Sequence, residues 1–271
     1  MSLITDTTRA ALEELLETAL RPAPNNWLTI RYGSDVIGYL QPDYIPIINA
    51  YLEKSECTAI VHYGAHLQIE KLSPYLLSQE LQELAEHLKK EGLIPGWRNE
   101  DFAWIDALGH ERFRMERAAF RSLGMHSRAC HINGYTNHKE LWLGKRSSNK
   151  ATDPNMLDNI AAGGLSADET LHQCAIRELW EEAGAHLELA RLVEPVACIH
   201  VRRFDEIKGL HDESIYTFDL PLPDDFIPEN KDGEVAGFIK VPYLEAADLI
   251  LAGELTPDAA AVSAEFLLRK A

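Results

Sequence analysis

One predicted helix constrains this chain more than any other segment. Residues 163–185 read GGLSADETLHQCAIRELWEEAGA, and their periodicity predicts a helix over 168–183. Glu178, Glu181 and Glu182 stand at positions i, i+3 and i+4, so their carboxylates lie on one face of that helix. Like charges at this spacing destabilise a helix. A divalent cation would remove the repulsion, and Mg²⁺ prefers oxygen ligands beside an open, hydrated cleft.

An acidic helix face is more often merely solvated, so the residues around this one must decide between the two interpretations. They fit the pattern G-x5-E-x7-R-E-U-x-E-E-x-G-U, where U is aliphatic, and the segment resembles the signature of the Nudix hydrolases. The loop after Gly164 is one residue shorter than is usual in that family, and the last aliphatic position holds Ala185. The matching residues are Gly163, Glu169, Arg177, Glu178, Glu181, Glu182 and Gly184.

The resemblance implies both a fold and a chemistry. The fold is an α+β architecture, an α/β/α sandwich around a mixed sheet. The chemistry is hydrolysis of a diphosphate linkage by water, with Mg²⁺ or Mn²⁺ bound by Glu178, Glu181 and Glu182. Bound metal neutralises the diphosphate and activates the water. Either Glu181 or Glu182 could accept the proton of that water.

The remaining motif residues are predicted to have structural roles. Helical geometry places Arg177 two turns from Glu169, close enough for a salt bridge that orients the helix. Gly184 would end the helix, because glycine adopts the left-handed conformation at least cost. Gly163 keeps the motif spacing. Trp180 points away from the metal face and is predicted to lie in the core.

Two domains are predicted, a small α+β domain of unknown role over 1–125 and a Nudix domain over 126–271. In the first, patterns predict helices over 6–20 and 111–123, a third helix capped by Ser78 and ended by Gly92, and strands over 27–32, 36–40 and 58–63. In the second, they predict strands over 131–135, 140–145, 157–162, 195–203, 214–220 and 235–241, and a final helix over 257–270.

Composition limits the partners of the chain. The 271 residues carry 26 Lys plus Arg against 43 Asp plus Glu, a formal charge of −17 that disfavours nucleic acid. The four cysteines are far apart and without a C-x-x-C pair, which predicts reduced thiols in a cytoplasmic protein with no zinc site. No apolar run is long enough to span a membrane, and no basic segment precedes an apolar one at the start.

Several segments outside the motif resemble one particular Nudix branch. They read GWRNE over 96–100, HINGY over 131–135, KRSSNK over 145–150 and P-x-N-x-DGEV over 228–235, with LDNIAAGG over 157–164 running into the motif. Together with the N-terminal extension, they are similar to the Nudix part of thiamine pyrophosphokinase fusion proteins. The resemblance implies removal of the terminal phosphate from thiamine diphosphate, or from its oxidised or damaged analogues.

Candidate ligands of substrate and metal lie in these same segments. Lys145 and Arg146 could hold the diphosphate, although strand-end cations also serve only to solubilise an edge. Asn133 and Tyr135 could contact a heteroaromatic ring. Glu234 follows a predicted turn and could be an extra metal carboxylate, or equally a surface residue at the start of a strand.

Two alternatives stay open at this point. The first is a nucleoside diphosphate-X hydrolase that acts on ADP-ribose or a dinucleotide. The second is a Nudix-like module that only binds a ligand, although such modules typically lose carboxylates that this chain retains. The sequence is compatible with a monomer or a homodimer.

Overall fold

The computed structural model describes residues 4–150, 152–205 and 209–270. Residues 28–125, which we call the N-terminal unit, hold a four-stranded sheet of order β2-β1-β4-β3 and a separate hairpin, β5–β6. The elements up to residue 125 are α1 (Asp6–Glu17), β1 (Leu28–Tyr32), β2 (Asp35–Leu40), α2 (Ile45–Leu52), β3 (Ile60–Tyr63), β4 (His66–Ile69), α3 (Pro74–Lys90), β5 (Asp101–Ile105), β6 (Glu111–Glu116) and α4 (Arg117–Ser122).

Residues 126–270, which we call the C-terminal unit, are built on a mixed sheet. Its strand order is β11-β12-β7-β8-β13, and β12 and β7 run parallel. Strand β10 pairs with β7, and β9 pairs with β8. The predicted α+β class with a mixed sheet is confirmed. The elements are β7 (His126–Tyr135), β8 (Glu140–Arg146), β9 (Leu157–Asp158), β10 (Ala161–Gly164), α5 (Leu171–Ala183), α6 (Leu187–Ala190), β11 (Glu194–Asp205), β12 (Gly209–Pro221), β13 (Val235–Pro242), α7 (Tyr243–Leu251) and α8 (Pro257–Lys270).

Most predicted elements are present, and two predictions were wrong. The N-cap of α3 is Ser73, whose hydroxyl accepts from Leu76 N–H, whereas Ser78 lies inside the helix and donates to the Pro74 carbonyl. The helix predicted over 111–123 is instead strand β6 followed by the short helix α4. The alternating burial of Phe113 and Met115 is the period of a strand.

Helix α1 packs on the C-terminal unit and not on the sheet that follows it. Leu12 is fully buried in a cluster that also holds Ala260 and Ala264 of α8. Beyond α1, Arg202 N–H donates to the Ala19 carbonyl and Arg21 N–H donates to the Arg202 carbonyl, both at 2.9 Å. The segment after α1 therefore extends the edge of the large sheet at β11.

The two units meet closely at Gly124. Its φ is +54°, and a Cβ there would lie 2.5 Å from the Tyr39 carbonyl oxygen, so only glycine fits this turn. The turn leads directly into β7, and the same added Cβ would lie 3.1 Å from Leu210 Cβ of β12 in the large sheet. Within the described residues, no helix is long and apolar enough to cross a membrane.

Candidate active site

Helix α5 has well-defined ends, and these fix the orientation of its acidic face. Thr170 and Gln173 form a reciprocal capping box at its start. Gly184 ends the helix with φ +65°, in the left-handed conformation predicted for it. The predicted helix over 168–183 is confirmed apart from its first turn, which is loop.

The three predicted metal carboxylates differ in exposure. Glu178 and Glu182 are buried, with 7% and 5% of their surfaces exposed, whereas the Glu181 side chain is 39% exposed. Glu182 accepts a 2.9 Å hydrogen bond from the Ala162 N–H of β10. The helix thus presents two sheltered carboxylates and one that is open to solvent.

Arg177 holds this acidic face together. Its guanidinium binds both carboxylate oxygens of Glu169, at 2.6 and 2.9 Å, which confirms the predicted salt bridge. It also donates to Glu178 at 2.6 Å and to Glu181 at 3.1 Å. A single cation therefore offsets the repulsion among carboxylates that face one another.

Gly163 gives Glu178 the space that it occupies. A Cβ at Gly163 would lie 1.7 Å from Oε1 of Glu178. No side chain larger than hydrogen fits while that carboxylate keeps its position. The requirement for glycine at this point of the motif is therefore steric, since Gly163 lies in strand β10 and its φ is not in the left-handed region.

A second group of carboxylates approaches Glu182 from a distant loop. Oxygen atoms of Glu182, Asp232 and Glu234 lie within 4.8 Å of one another. The ammonium group of Lys150 contacts Glu234 and lies 3.8 Å from Glu182. A cation already occupies the space between these carboxylates, and the ligand set is all oxygen. Both features fit a site for a hard divalent metal ion.

Burial and neighbouring charges shift the pKa values of three of these carboxylates. Burial raises the pKa of Glu182 well above its usual range and the charge of Glu178 adds to this, while Lys150 opposes it. Burial also raises the pKa of Glu178, against the opposing charge of Arg177. For Glu234, burial acts in the same direction, but Lys150 prevails and its pKa is lowered.

Apart from the buried Glu182, these carboxylates line one large cleft of about 760 Å³. Its walls come from both units of the chain. The motif contributes Gly163, Glu178 and Glu181, and the distant loop contributes Asp232 and Glu234. The N-terminal unit contributes residues of the segment before β5, of β5 itself and of α4, among them Arg98, Phe102 and Arg117.

Three of the four predicted substrate residues lie outside this cleft. Lys145 is exposed elsewhere, Asn133 is fully buried beside Asn159 and Asp219, and Tyr135 packs on Phe266. Arg146 does line the cleft, but its guanidinium is held by Asp158 at 2.7 Å and by the carbonyls of residues 152 and 153.

Trp180 also differs from its prediction. Its side chain is 46% exposed and lies against His186 and Lys231 instead of entering the core. Sequence reasoning missed Asp232 as a neighbour of Glu182, although the DGEV segment contains both Asp232 and Glu234. It also missed Arg98 and Arg117 as cleft residues, although the GWRNE segment over 96–100 contains Arg98.

Comparison with known families assigns the chain to a class. The NUDIX domain profile matches residues 125–266, which is just over half of the chain, and the chain belongs to this family. Nudix enzymes generally use divalent metal ions. The match starts at the boundary between the two units and includes the acidic helix and Glu234.

Individual relatives cover more of the sequence. Nudix hydrolase 24, chloroplastic, of Arabidopsis thaliana is 30% identical over 86% of this chain, and Nudix hydrolase 20, chloroplastic, of the same plant is 29% identical over 79%. The aligned regions span 65% and 60% of the length of those relatives. A solved structure from Deinococcus radiodurans is 21% identical, covers 63% of this chain and 98% of its own, and has a TM-score of 0.49.

Proposed function

We propose that this protein hydrolyses a diphosphate linkage in a small molecule with the help of Mg²⁺ or Mn²⁺. The approach of Glu234 to Glu182, within 4.8 Å, supports this proposal most directly, because Glu234 lines the same cleft as Glu178 and Glu181. The charge of −17 further supports a small-molecule substrate over a nucleic acid.

The proposed metal ligands are Glu178, Glu181, Glu182 and Glu234. Bound there, a divalent ion would neutralise the diphosphate and lower the pKa of an attacking water. Ala162 N–H orients the Glu182 carboxylate, and Arg177 orients those of Glu178 and Glu181. Glu181 is the more exposed of the two proposed proton acceptors, and Glu182 is the better oriented.

The substrate that we propose is thiamine diphosphate or one of its oxidised or damaged analogues, cleaved to the monophosphate. Support comes from the resemblance of segments 131–135, 145–150 and 228–235 to the thiamine-related branch. The cleft volume of about 760 Å³ falls within the range that encloses small organic ligands.

A phosphate-release screen with Mg²⁺ tests the proposed function. We expect phosphate from thiamine diphosphate or oxothiamine diphosphate and the corresponding monophosphate as second product. Release of AMP from ADP-ribose or a dinucleotide would instead establish the nucleoside diphosphate-X alternative. If no diphosphate compound is cleaved while the metal binds, the chain is a binding module.

Substitution of Gly163 tests the steric basis of the site. In Gly163→Ala the new Cβ should displace Glu178 from its position, so Mn²⁺ affinity and kcat should each fall at least about 10-fold. Thermal unfolding should change little, because the displaced atoms are at the end of a flexible side chain. Gly237→Ala is the matched control, since a Cβ at Gly237 meets nothing within 4 Å. Unchanged Mn²⁺ affinity in Gly163→Ala would contradict this account.

A further inference from the structure

The N-terminal unit directly contacts the loop before α5, at residues 166–168. Ser166, in the loop before α5, donates to Glu100 at 2.7 Å, and Ala167 N–H donates to the Asp101 carbonyl at 2.8 Å. Asp168 accepts from Arg114 at 2.8 Å. These contacts join β5, β6 and the segment before them to the motif, so the side chains of this unit that line the cleft have fixed positions relative to α5.

Arg117 is the central side chain of this wall. Its guanidinium donates to Glu100 at 2.9 Å and lies over the Phe102 ring, with 5.2 Å between the guanidinium carbon and the ring centroid. An added Cβ on Gly164 would lie 3.3 Å from that guanidinium carbon. Arg117 is thus packed against the glycine next to Gly163, yet its side chain keeps 40% of its surface exposed to the cleft.

Arg98 is a second cation on the same wall. Its backbone is fixed, because Arg98 N–H donates to Glu116 at 2.9 Å. Its side chain is exposed, and among the described residues it forms no ion pair. Arg98 and Arg117 line the same cleft as Glu178, Glu181 and Glu234. Both arginines therefore border the open space beside these proposed metal carboxylates.

Other cleft cations have less capacity for a ligand. Arg146 is bound to Asp158, Lys150 lies between Glu182 and Glu234, and Arg177 is bound to three carboxylates of its own motif. Arg203 is paired with Asp258, and Arg121, which lines the same cleft, contacts His211 at 3.0 Å. Arg98 forms no ion pair among the described residues, and Arg117 forms one, with Glu100. Both side chains line the cleft, and a guanidinium is well suited to bind phosphate oxygens with two parallel hydrogen bonds.

We propose that the N-terminal unit completes the active site, with Arg98 and Arg117 binding the diphosphate group of the substrate. The inference rests on the proposed function and adds a role for the unit whose role the sequence left open. The carboxylates of the C-terminal unit would hold the metal, and the two arginines would bind phosphate oxygens from the other wall. A diphosphate carries enough negative charge to bind the metal ion and the two arginines at the same time.

Binding of methylenediphosphonate, a non-hydrolysable diphosphate, tests this role without turnover. In isothermal titration calorimetry with Mg²⁺ present, we expect Arg98→Gln to raise Kd about 10-fold and Arg117→Gln to raise it about 10-fold to 100-fold, typical of a lost charge-assisted hydrogen bond. In steady-state assays, the Arg98→Gln defect should appear mainly in KM, since a ground-state contact is lost.

Two variants separate binding from structure. Arg117→Gln could disturb the Glu100 contact, so Arg117→Lys, which keeps the charge, should recover part of the affinity. Arg21→Gln is the matched control, because Arg21 is an exposed arginine outside the cleft, and its Kd should equal that of the parent.

Two results would overturn the inference. One is a Kd within about twofold of the parent for both Arg98→Gln and Arg117→Gln. The other is a parent protein that does not bind methylenediphosphonate. The phosphate-release screen decides the proposed hydrolysis separately, so a protein that cleaves diphosphates with unaffected arginine variants would refute only the role of the N-terminal unit.

Discussion

Excess EDTA should abolish diphosphate hydrolysis by this protein while leaving its fold intact. Of the proposed metal ligands, Glu178, Glu181 and Glu234 line the cleft. Glu182 is buried beside Glu234, and none of the four belongs to the apolar clusters that form the core. Without a divalent ion, the attacking water would lose the metal charge that lowers its pKa. Phosphate release and far-ultraviolet circular dichroism, measured on the same sample, check both halves of this expectation.

Restoration of the metal provides the control for chelation. Added Mg²⁺ or Mn²⁺ in excess over EDTA should return full activity, because the ligand set is held by contacts within the protein. These include the Ala162 N–H bond to Glu182 and the Arg177 contacts with Glu178 and Glu181. Hydrolysis that persists in excess chelator would rule out the metal mechanism.

Glu178→Gln and Glu182→Gln should each lower kcat at least about 10²-fold, as expected when a charge-stabilising group is lost at a reacting centre. Glutamine keeps the size of the side chain, so the packing of these two buried residues is preserved. The negative charge that binds the cation is lost. Single-turnover assays at saturating substrate and metal measure the effect on chemistry, with metal affinity determined separately.

An exposed glutamate provides the matched control for these variants. Glu188 follows the motif in α6 and lies outside the cleft, so Glu188→Gln should retain parental kcat. A Glu182→Gln variant as active as the parent would refute the assigned metal role and revive the interpretation of this fold as a ligand-binding module.

The acidic helix α5 could be predicted from the sequence because the residues that determine it are close together in the chain. The spacing of Glu178, Glu181 and Glu182 fixes one face, and Gly184 fixes the end of the helix. The salt bridge between Arg177 and Glu169 is present as predicted, although Glu169 lies in the loop before α5 and not on the helix. Glu234 was a candidate ligand because of the turn residues before it, with a surface role equally open, and its proximity to Glu182 depends on the tertiary fold.

Substrate residues could not be predicted in the same way, because strand register does not give the position of a cleft along a strand. His131, Asn133 and Tyr135 alternate onto one face of β7. Only His131 of these three lines the cleft, whereas Asn133 binds Asn159 and Tyr135 packs on Phe266 of α8. The sequence pattern selected the correct strand and the wrong end of it.

The cleft wall formed by Arg98 and Arg117 depends on contacts between residues far apart in sequence. Strand β6 was predicted as helix, so the start of α4 at Arg117 was not foreseen. The contacts that place this wall, such as Ser166 with Glu100 and Arg114 with Asp168, span more than 50 residues of chain. No local pattern encodes such pairings.

The packing of α1 makes the N-terminal unit topologically an insertion and not an appendage. A protein shortened to begin at residue 126 would lose Leu12 and leave its partners Ala260 and Ala264 on α8 facing water. The intervening unit is tied at both of its ends, through residues 19–21 at β11 and through Gly124 at β7. Two such anchors oppose its hinging away from the large sheet. Evolutionary loss of the whole segment before β7, α1 included, would therefore require a new cover for α8 as well as a new wall for the cleft.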